Sequence, residues 1–313
     1  MRTASGPAMT SLTIQHRDRL DLFAMGVLLV LCASWGVNQV AIKVANGGIS
    51  PVFGAGIRSL AGTVLIFLWC RVRGVSLFER DGTLLPGILA GILFGIEFVA
   101  LYWGLNYTSA ARGVVLLYTM PFVVAAGAHV LFPAERLTLV RVLGLVAAFA
   151  GVVLSFADSL SAAAEHSFVG DAMMLAAALF WGATILVIKG TVLVKARAEK
   201  TLLYQLSVSA VMLLGLSCII GEPGIFNATP IVVLAMAYQI IPVVAVTYVA
   251  WFWLMTIYPA SQLSAFSFFT PLFGVVAGGL LLGERVSAYL LLALALVAAG
   301  IYLVNRPANR RTV

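Results

Sequence analysis

The amino-acid sequence predicts an all-α polytopic membrane protein with ten transmembrane helices in two inverted five-helix repeats. Composition is the first observation: of 313 residues, 62% are hydrophobic and 10% are charged, whereas a soluble domain is about half apolar and a quarter charged. Apolar stretches of about 20 residues, the length that crosses a hydrocarbon core, recur along the chain. They are continuous, whereas a transmembrane β-barrel has short alternating segments. The third observation, an internal repeat, predicts how the helices are arranged.

Ten apolar stretches are predicted to span the membrane. Span 8 is the longest and contains Pro242, so we expect a kink or a break at that proline. The predicted spans cover residues 22–43, 52–70, 84–105, 108–131, 138–157, 168–190, 201–220, 229–257, 260–282 and 286–304.

The basic residues predict the orientation of the spans. Most of the 19 Lys and Arg residues lie at one set of span ends, and only Lys43 and Arg285 lie near the other set. Because cytoplasmic loops carry the excess of Lys and Arg, both termini are predicted to be cytoplasmic, with tails at 1–21 and 306–313. The net charge of +7 therefore reflects short loops in contact with membrane lipid, and no nucleic-acid partner is expected.

Two stretches near the start of each half of the chain resemble each other. "SWGVNQVAIKV" begins at Ser34 and "FWGATILVIKG" begins at Phe180. Trp, Gly and Lys match at a constant offset, so that Lys43 corresponds to Lys189. These lysines lie at span ends, where their side chains can extend to the membrane surface.

The ends of the two halves match as well. "YWGLNYTSAARGVVLLYTMP" ends at Pro121 and "FWLMTIYPASQLSAFSFFTP" ends at Pro271, and an A/G-E-R turn follows each. Because five spans are repeated and five is odd, the second copy enters the membrane from the opposite side. The repeats are predicted to cover residues 22–157 and 168–305. Inverted repeats are an architecture of secondary transporters, with the substrate site near the midplane at the repeat interface.

This organisation resembles the drug/metabolite transporter superfamily. Two inverted five-span halves, each with a W-G motif and an A/G-E-R turn, are similar to the subgroup with two EamA-type domains, over roughly residues 22–305. Within it, the chain is most similar to YddG-type exporters of aromatic and other amino acids. The resemblance implies a bacterial inner-membrane exporter with a central cavity and a small-molecule substrate.

Arg58 and Glu97 are charged residues inside predicted spans. A charge at the bilayer centre costs ~2.5–3.5 kcal/mol on insertion scales, and the two lie at depths that differ by roughly 3 Å. In the repeat they correspond to Gln205 and about Thr247, so both charges are replaced together. This pattern predicts an ion pair. Two further roles remain open for Glu97, a proton-coupling carboxylate and a contact to the amino group of a substrate.

Polar and aromatic side chains within the spans are candidates to line the cavity. In span 1, Asn38 and Gln39 give the helix a broad polar side, which could face the cavity or form interhelical hydrogen bonds. Aromatic residues near mid-span could line a pocket or pack between helices. The candidate substrate-binding residues are Asn38, Gln39, Glu97, Tyr118, Trp181, Tyr248, Ser264 and Phe268.

Glycines four residues apart predict close helix contacts. Gly87, Gly91 and Gly95 would form one small-residue face on span 3. Such faces pack either within one chain or between two copies, so a monomer is one of two assemblies that the sequence leaves open.

The leading functional hypothesis is therefore a secondary exporter of small metabolites, with amino acids as the first candidates. Few intramembrane charges suit a substrate that is zwitterionic overall, with its ammonium and carboxylate held by neutral polar groups. An exporter of lipophilic cations or drugs needs an unpaired carboxylate, for which Glu97 is the candidate. A membrane-embedded enzyme is disfavoured because the sequence has no H-E-x-x-H motif and no intramembrane aspartate pair. No metal or cofactor is expected. A carbonyl-rich filter segment, typical of some channels, is also absent from the sequence.

Overall fold

The computed structural model describes residues 17, 19–107, 110–157, 168–283 and 288–306. Arg285, residues 158–167 and almost all of the two predicted tails lie outside the described residues. The described part of the chain forms α-helices with short 3₁₀ and π segments, as the sequence predicts.

The first group of helices comprises α1 to α6, which lie before the gap at 158–167. Asp21 caps α1 by accepting a hydrogen bond from the N–H of Ala24, Pro51 opens α2 and Thr138 caps α6. The bounds are α1 Leu22–Asn46, α2 Pro51–Val72, α3 Leu84–Tyr107, α4 Ala110–Leu117, α5 Met120–Leu131 and α6 Leu139–Ser155.

The second group of helices lies after the gap at 158–167. Gly221 ends the second of them in the left-handed conformation. The bounds are α7 Phe168–Gly190, α8 Ala198–Ile220, α9 Pro230–Tyr238, a π-helix Gln239–Tyr248, α10 Val249–Ile257, α11 Ala260–Phe266, α12 Phe269–Leu282 and α13 Leu290–Val304.

Eight of the described segments are long and apolar enough to cross a membrane, and α6 and α13 are shorter apolar helices. These ten elements correspond to the ten predicted spans. Large side chains such as Leu22, Val211 and Leu291 are mostly exposed around the outside. Exposed apolar surface of this extent suits a lipid environment, so the chain is a multi-pass membrane protein.

Two spans are interrupted at matching positions. The fourth span breaks at Tyr118 and Thr119, between α4 and α5. The ninth breaks at Ser267 and Phe268, between α11 and α12. Each break comes a few residues before a proline, Pro121 or Pro271, which cannot donate to the carbonyl four residues earlier. Short-range bonds such as that from the Phe268 N–H to the Ala265 carbonyl close each turn instead.

The break considered for span 8 does not occur, and a π-helix lies at this position. Pro242 lies inside the π-helix Gln239–Tyr248, which joins α9 to α10 without a gap. Because the proline N–H is missing, the backbone widens its turns there rather than ending the helix.

The helices before and after the gap pack closely together. α2 lies against α8, α3 against α7, α6 against α13 and α1 against α12. α3 also packs against α8, and glycine allows this close approach. A Cβ at Gly91 of α3 would lie 2.8 Å from the Tyr204 carbonyl oxygen of α8. The predicted small-residue face on α3 is confirmed, since Gly87 and Gly95 also lie against side chains of α8.

Candidate functional site

A cavity of about 150 Å³ lies between helices from both ends of the chain. α1, α2, α3 and α4 line one side of it, and α7, α8, α10 and the π-helix line the other. Most of the lining is apolar or aromatic, and the charged residues among the described lining are Arg58 and Glu97. A largely apolar pocket with a few convergent polar groups is the usual form of a small-molecule site.

Most of the residues predicted to line a cavity do so. Gln39 and Asn38 are neighbours on α1, and both reach the cavity, because the polar side of this helix faces the other half of the bundle. The predicted residues found in the lining are Asn38, Gln39, Glu97, Tyr118, Trp181 and Tyr248.

Ser264 and Phe268, which were also predicted to line a cavity, are not among the residues that line this one. Ser264 is fully buried and its hydroxyl donates to the Ser261 carbonyl of its own helix at 3.2 Å. The Phe268 ring packs against Phe122 and Phe149, with centroids 6.2 and 6.3 Å away. A serine that satisfies its hydroxyl locally and an aromatic ring that packs in a cluster need no cavity.

Arg58 and Glu97 both line the cavity, yet they do not form the direct ion pair that the sequence predicts. The ion pairs within 4.0 Å among the described residues lie elsewhere. The Arg58 guanidinium instead lies over the ring of Phe98, 4.5 Å from its centroid. Both charged side chains are buried, with exposed fractions of 1% for Arg58 and 6% for Glu97. The depth argument placed them at one level but gave no information on the direction of each side chain.

Four buried side chains of the lining have unmet hydrogen-bonding capacity among the described residues. Nε and Nη2 of Arg58 and Nε2 of Gln205 are donors without an acceptor. Oε2 of Glu97 and Oδ1 of Asn38 are acceptors without a donor. Since an unmet buried polar group costs about 1–3 kcal/mol, such a cluster in a cavity indicates a binding site.

Aromatic rings form much of the cavity wall. Trp35 packs edge-on against Trp251 and Tyr248, with centroids 5.3 and 6.2 Å away. Tyr118 packs edge-on against Trp181 at 5.9 Å. Three aromatic residues of α3 that are not among the predicted candidates also line the cavity: Phe94, Phe98 and Tyr102. Their spacing of four residues, beside Glu97, is a helical-face signal that could have found them.

Comparison with known proteins identifies the family. The family model of EamA-like transporters matches residues 22–157 and 168–306. The chain belongs to the EamA-like transporter family. It is 27% identical to the uncharacterized transporter YoaV of Bacillus subtilis, over 89% of this chain and 95% of that protein. It is 28% identical to the probable amino-acid metabolite efflux pump of Escherichia coli, over 89% of this chain and 93% of that protein.

A solved crystal structure has the same fold. It superposes with a TM-score of 0.75 over 90% of this chain and 98% of its own, at 18% sequence identity. This EamA-like transporter therefore shares its helical architecture with an experimentally determined protein, and the named relatives are transporters.

Proposed function

We propose that this protein is a secondary transporter that exports small metabolites, first of all amino acids including aromatic ones, by alternating access. One observation carries the proposal: a cavity lined by both family-matched segments holds buried donors and acceptors that lack partners among the described residues. A transporter site needs such groups, because they must replace the water that a polar substrate leaves behind.

The pairing of helices supports two inverted repeats, 22–157 and 168–305. Under the repeat, α1 corresponds to α7 and α12 to α5. The contact of α1 with α12 then has its counterpart in the contact of α7 with α5. The two broken spans, at Tyr118 and Phe268, are also repeat-related. Discontinuous helices in corresponding positions of two halves are typical of secondary transporters.

The basic residues support an orientation with both termini in the cytoplasm and a location in the bacterial inner membrane. Arg17, Arg73, Arg136, Lys195 and Arg306 lie at the membrane side from which α1 starts. An excess of Lys and Arg marks the cytoplasmic side.

The lining supports an amino-acid substrate. One cation and one anion face a common space, and aromatic rings can stack on an apolar side chain. The name of the Escherichia coli relative and the resemblance to YddG-type exporters point the same way.

A lipophilic cation is the second candidate, because Oε2 of Glu97 lacks a donor and aromatic rings surround it. Aromatic faces and a carboxylate together attract organic cations. The transport measurement described below also tests whether Glu97 couples transport to protons.

The proposal is tested with purified protein in liposomes. Uptake of labelled phenylalanine and threonine is measured with and without a pH gradient, and empty liposomes give the background. Uptake that unlabelled amino acids suppress, and that a lipophilic cation does not, supports amino-acid transport. Uptake of the cation alone would support the second candidate. A change in accumulation with the pH gradient would assign proton coupling.

Two variants link uptake to the cavity. Asn38→Ala removes a lining amide and is expected to lower uptake, whereas Ser264→Ala removes a hydroxyl that lies outside the cavity and should leave it unchanged. Equal loss in both variants would count against the cavity as the transport site.

A further inference from the structure

Arg58 is a buried cation whose partners are incomplete. Its side chain is 1% exposed, and Nε and Nη2 have no acceptor among the described residues. A guanidinium keeps its charge in proteins, so it cannot escape this situation by losing a proton. Charged residues at membrane depth are expected to have a partner, and an absent partner indicates a ligand.

The Phe98 ring leaves one direction open for that ligand. The ring covers one face of the Arg58 guanidinium at 4.5 Å. The N–H groups of a guanidinium point outward in its own plane, away from a ring stacked on its face. A carboxylate fits this edge because it can accept two parallel hydrogen bonds.

Gln205 adds a neutral donor from the other half of the chain. It lines the same cavity from α8 and is 1% exposed, and its Nε2 group has no acceptor within the described part of the chain. In the repeat it occupies the position that corresponds to Arg58. The two equivalent positions therefore both present N–H groups that lack an acceptor.

Glu97 and Asn38 provide the opposite polarity. Oε2 of Glu97 and Oδ1 of Asn38 are buried acceptors for which the described residues supply no donor, and both residues line the cavity. An ammonium group has three N–H donors and suits a carboxylate together with an amide oxygen.

From these contacts we infer that Arg58, with Gln205, binds the carboxylate of the substrate, while Glu97, with Asn38, binds its ammonium group. The inference rests on the proposed function and names its substrate class: molecules that carry both charges. Such a molecule compensates both Arg58 and Glu97. A simple amine or a simple carboxylic acid leaves one of the two buried charges without a partner, which is unfavourable in a low-dielectric cavity.

The test compares three ligands that share a phenyl ring: phenylalanine, phenylethylamine and 3-phenylpropanoate. Their binding to purified protein in detergent is measured by the shift in thermal unfolding temperature over a concentration series. Wild-type protein should bind phenylalanine about tenfold or more tightly than either analogue. Arg58→Gln should weaken phenylalanine by about tenfold and leave phenylethylamine as tight or tighter.

The reciprocal variant makes the assignment specific. Glu97→Gln should weaken phenylalanine and phenylethylamine but spare 3-phenylpropanoate. In the neutral double variant Arg58→Gln with Glu97→Gln, the buried net charge is unchanged and both preferences should disappear. If Arg58→Gln does not fold, Arg58→Lys keeps the charge and removes the planar fork, and it should weaken only the two ligands with a carboxylate.

Two outcomes overturn the inference: analogues that bind wild type as tightly as phenylalanine, or single variants that weaken all three ligands equally. Absence of binding by all three ligands would also overturn it. Transport is measured with the same purified proteins in liposomes, so the two proposals fail separately. Uptake without the reciprocal pattern would contradict the assignment of Arg58 and support the transport function. The reciprocal pattern without uptake would support the assignment of Arg58 and contradict the transport function.

Discussion

The carboxylate of Glu135 accepts a hydrogen bond from the hydroxyl of Ser261 at 2.7 Å. It also accepts from the backbone N–H groups of Ser261 and Ala260, at 3.0 and 3.1 Å. Glu135 follows α5 and Ser261 lies in the first turn of α11, so a residue of one family-matched segment caps a broken helix of the other. On the same side of the protein, the Tyr258 hydroxyl donates to Asp21 at 2.9 Å. These contacts close the bundle at this side.

Loss of the Glu135 carboxylate is expected to open this side. Glu135→Gln weakens hydrogen bonds to a charged group, which are worth about 1.5–3 kcal/mol each. Cys32 reports on the change, because it is 1% exposed and its thiol contacts the Phe266 carbonyl at the end of α11. In a chain with Cys70 and Cys218 replaced by alanine, the rate of Cys32 alkylation should rise about tenfold or more.

The matched control for this prediction is Glu79→Gln, since Glu79 is an exposed glutamate at the same side. Its alkylation rate should equal that of the parent chain. If Glu135→Gln leaves Cys32 as protected as the control does, then the cap does not hold α11 closed.

α8 is joined to the start of α2 near one of its ends and to the segment just before α3 near its other end. At one end, Glu222 accepts hydrogen bonds from the N–H groups of Val52 and Phe53, at 3.1 and 2.7 Å. At the other end, Lys200 donates to Asp81 at 2.8 Å. α8 also packs against both α2 and α3, so these polar contacts add to the packing that holds the three helices together.

The Asp81 contact makes stability depend on pH in a defined direction. Hydrogen bonds from Lys200 and Thr83 hold the pKa of Asp81 below its ordinary value. A carboxyl with a depressed folded-state pKa stabilises the protein above its unfolded pKa of about 4, and this contribution is lost as the pH falls toward the folded value. Asp81→Asn should therefore lower the unfolding temperature at pH 7, and the difference from wild type should shrink below about pH 4.

The measurement is thermal unfolding in detergent from pH 7 to pH 3. Glu79→Gln serves as the control, because its exposed side chain should give a nearly constant difference from wild type. A difference for Asp81→Asn that stays the same at pH 3 would show that the carboxylate charge is not responsible.

The indole N–H of Trp35 donates to the Thr247 hydroxyl at 2.8 Å, which connects α1 to the π-helix. Trp35→Phe keeps an aromatic ring beside Trp251 but removes this donor. We expect a loss of about 1 kcal/mol, or a fall in unfolding temperature of a few degrees. Trp253→Phe is the control, because Trp253 is 42% exposed on the same span as Thr247. Equal effects of the two changes would mean that the hydrogen bond adds no stability.

The spans were predictable because membrane thickness and backbone hydrogen bonding leave few alternatives for a long apolar stretch. The breaks before Pro121 and Pro271 were not predicted, although the same prolines helped to define the repeat. A proline in a span can bend, widen or interrupt a helix, and its neighbours decide which of these occurs. Pro242 lies in a continuous π-helix, whereas the other two follow interruptions.

The predicted residues that line the cavity differ from Ser264 in the hydrogen bonds that their side chains make. Asn38 and Glu97 each have a buried oxygen without a donor among the described residues, and both line the cavity. The Ser264 hydroxyl instead donates to the Ser261 carbonyl within its own helix. The separation of Arg58 from Glu97 depends on how two helices rotate about their axes, and a sequence pattern does not contain that rotation.

The contact of α3 with α8 leads to the last prediction. A Cβ at Gly91 would lie 2.6 Å from the Val208 Cβ and 2.8 Å from the Tyr204 carbonyl oxygen. Since a backbone oxygen cannot rotate away, Gly91→Ala must push the helices apart, at about 1–3 kcal/mol. Gly215→Ala on α8 is the matched control, because its Cβ would meet nothing within 4 Å. The unfolding temperature in detergent should fall for Gly91→Ala and stay level or rise slightly for Gly215→Ala. A Gly91→Ala protein as stable as the control would mean that α3 and α8 can separate without loss, and that their contact does not stabilise the two halves.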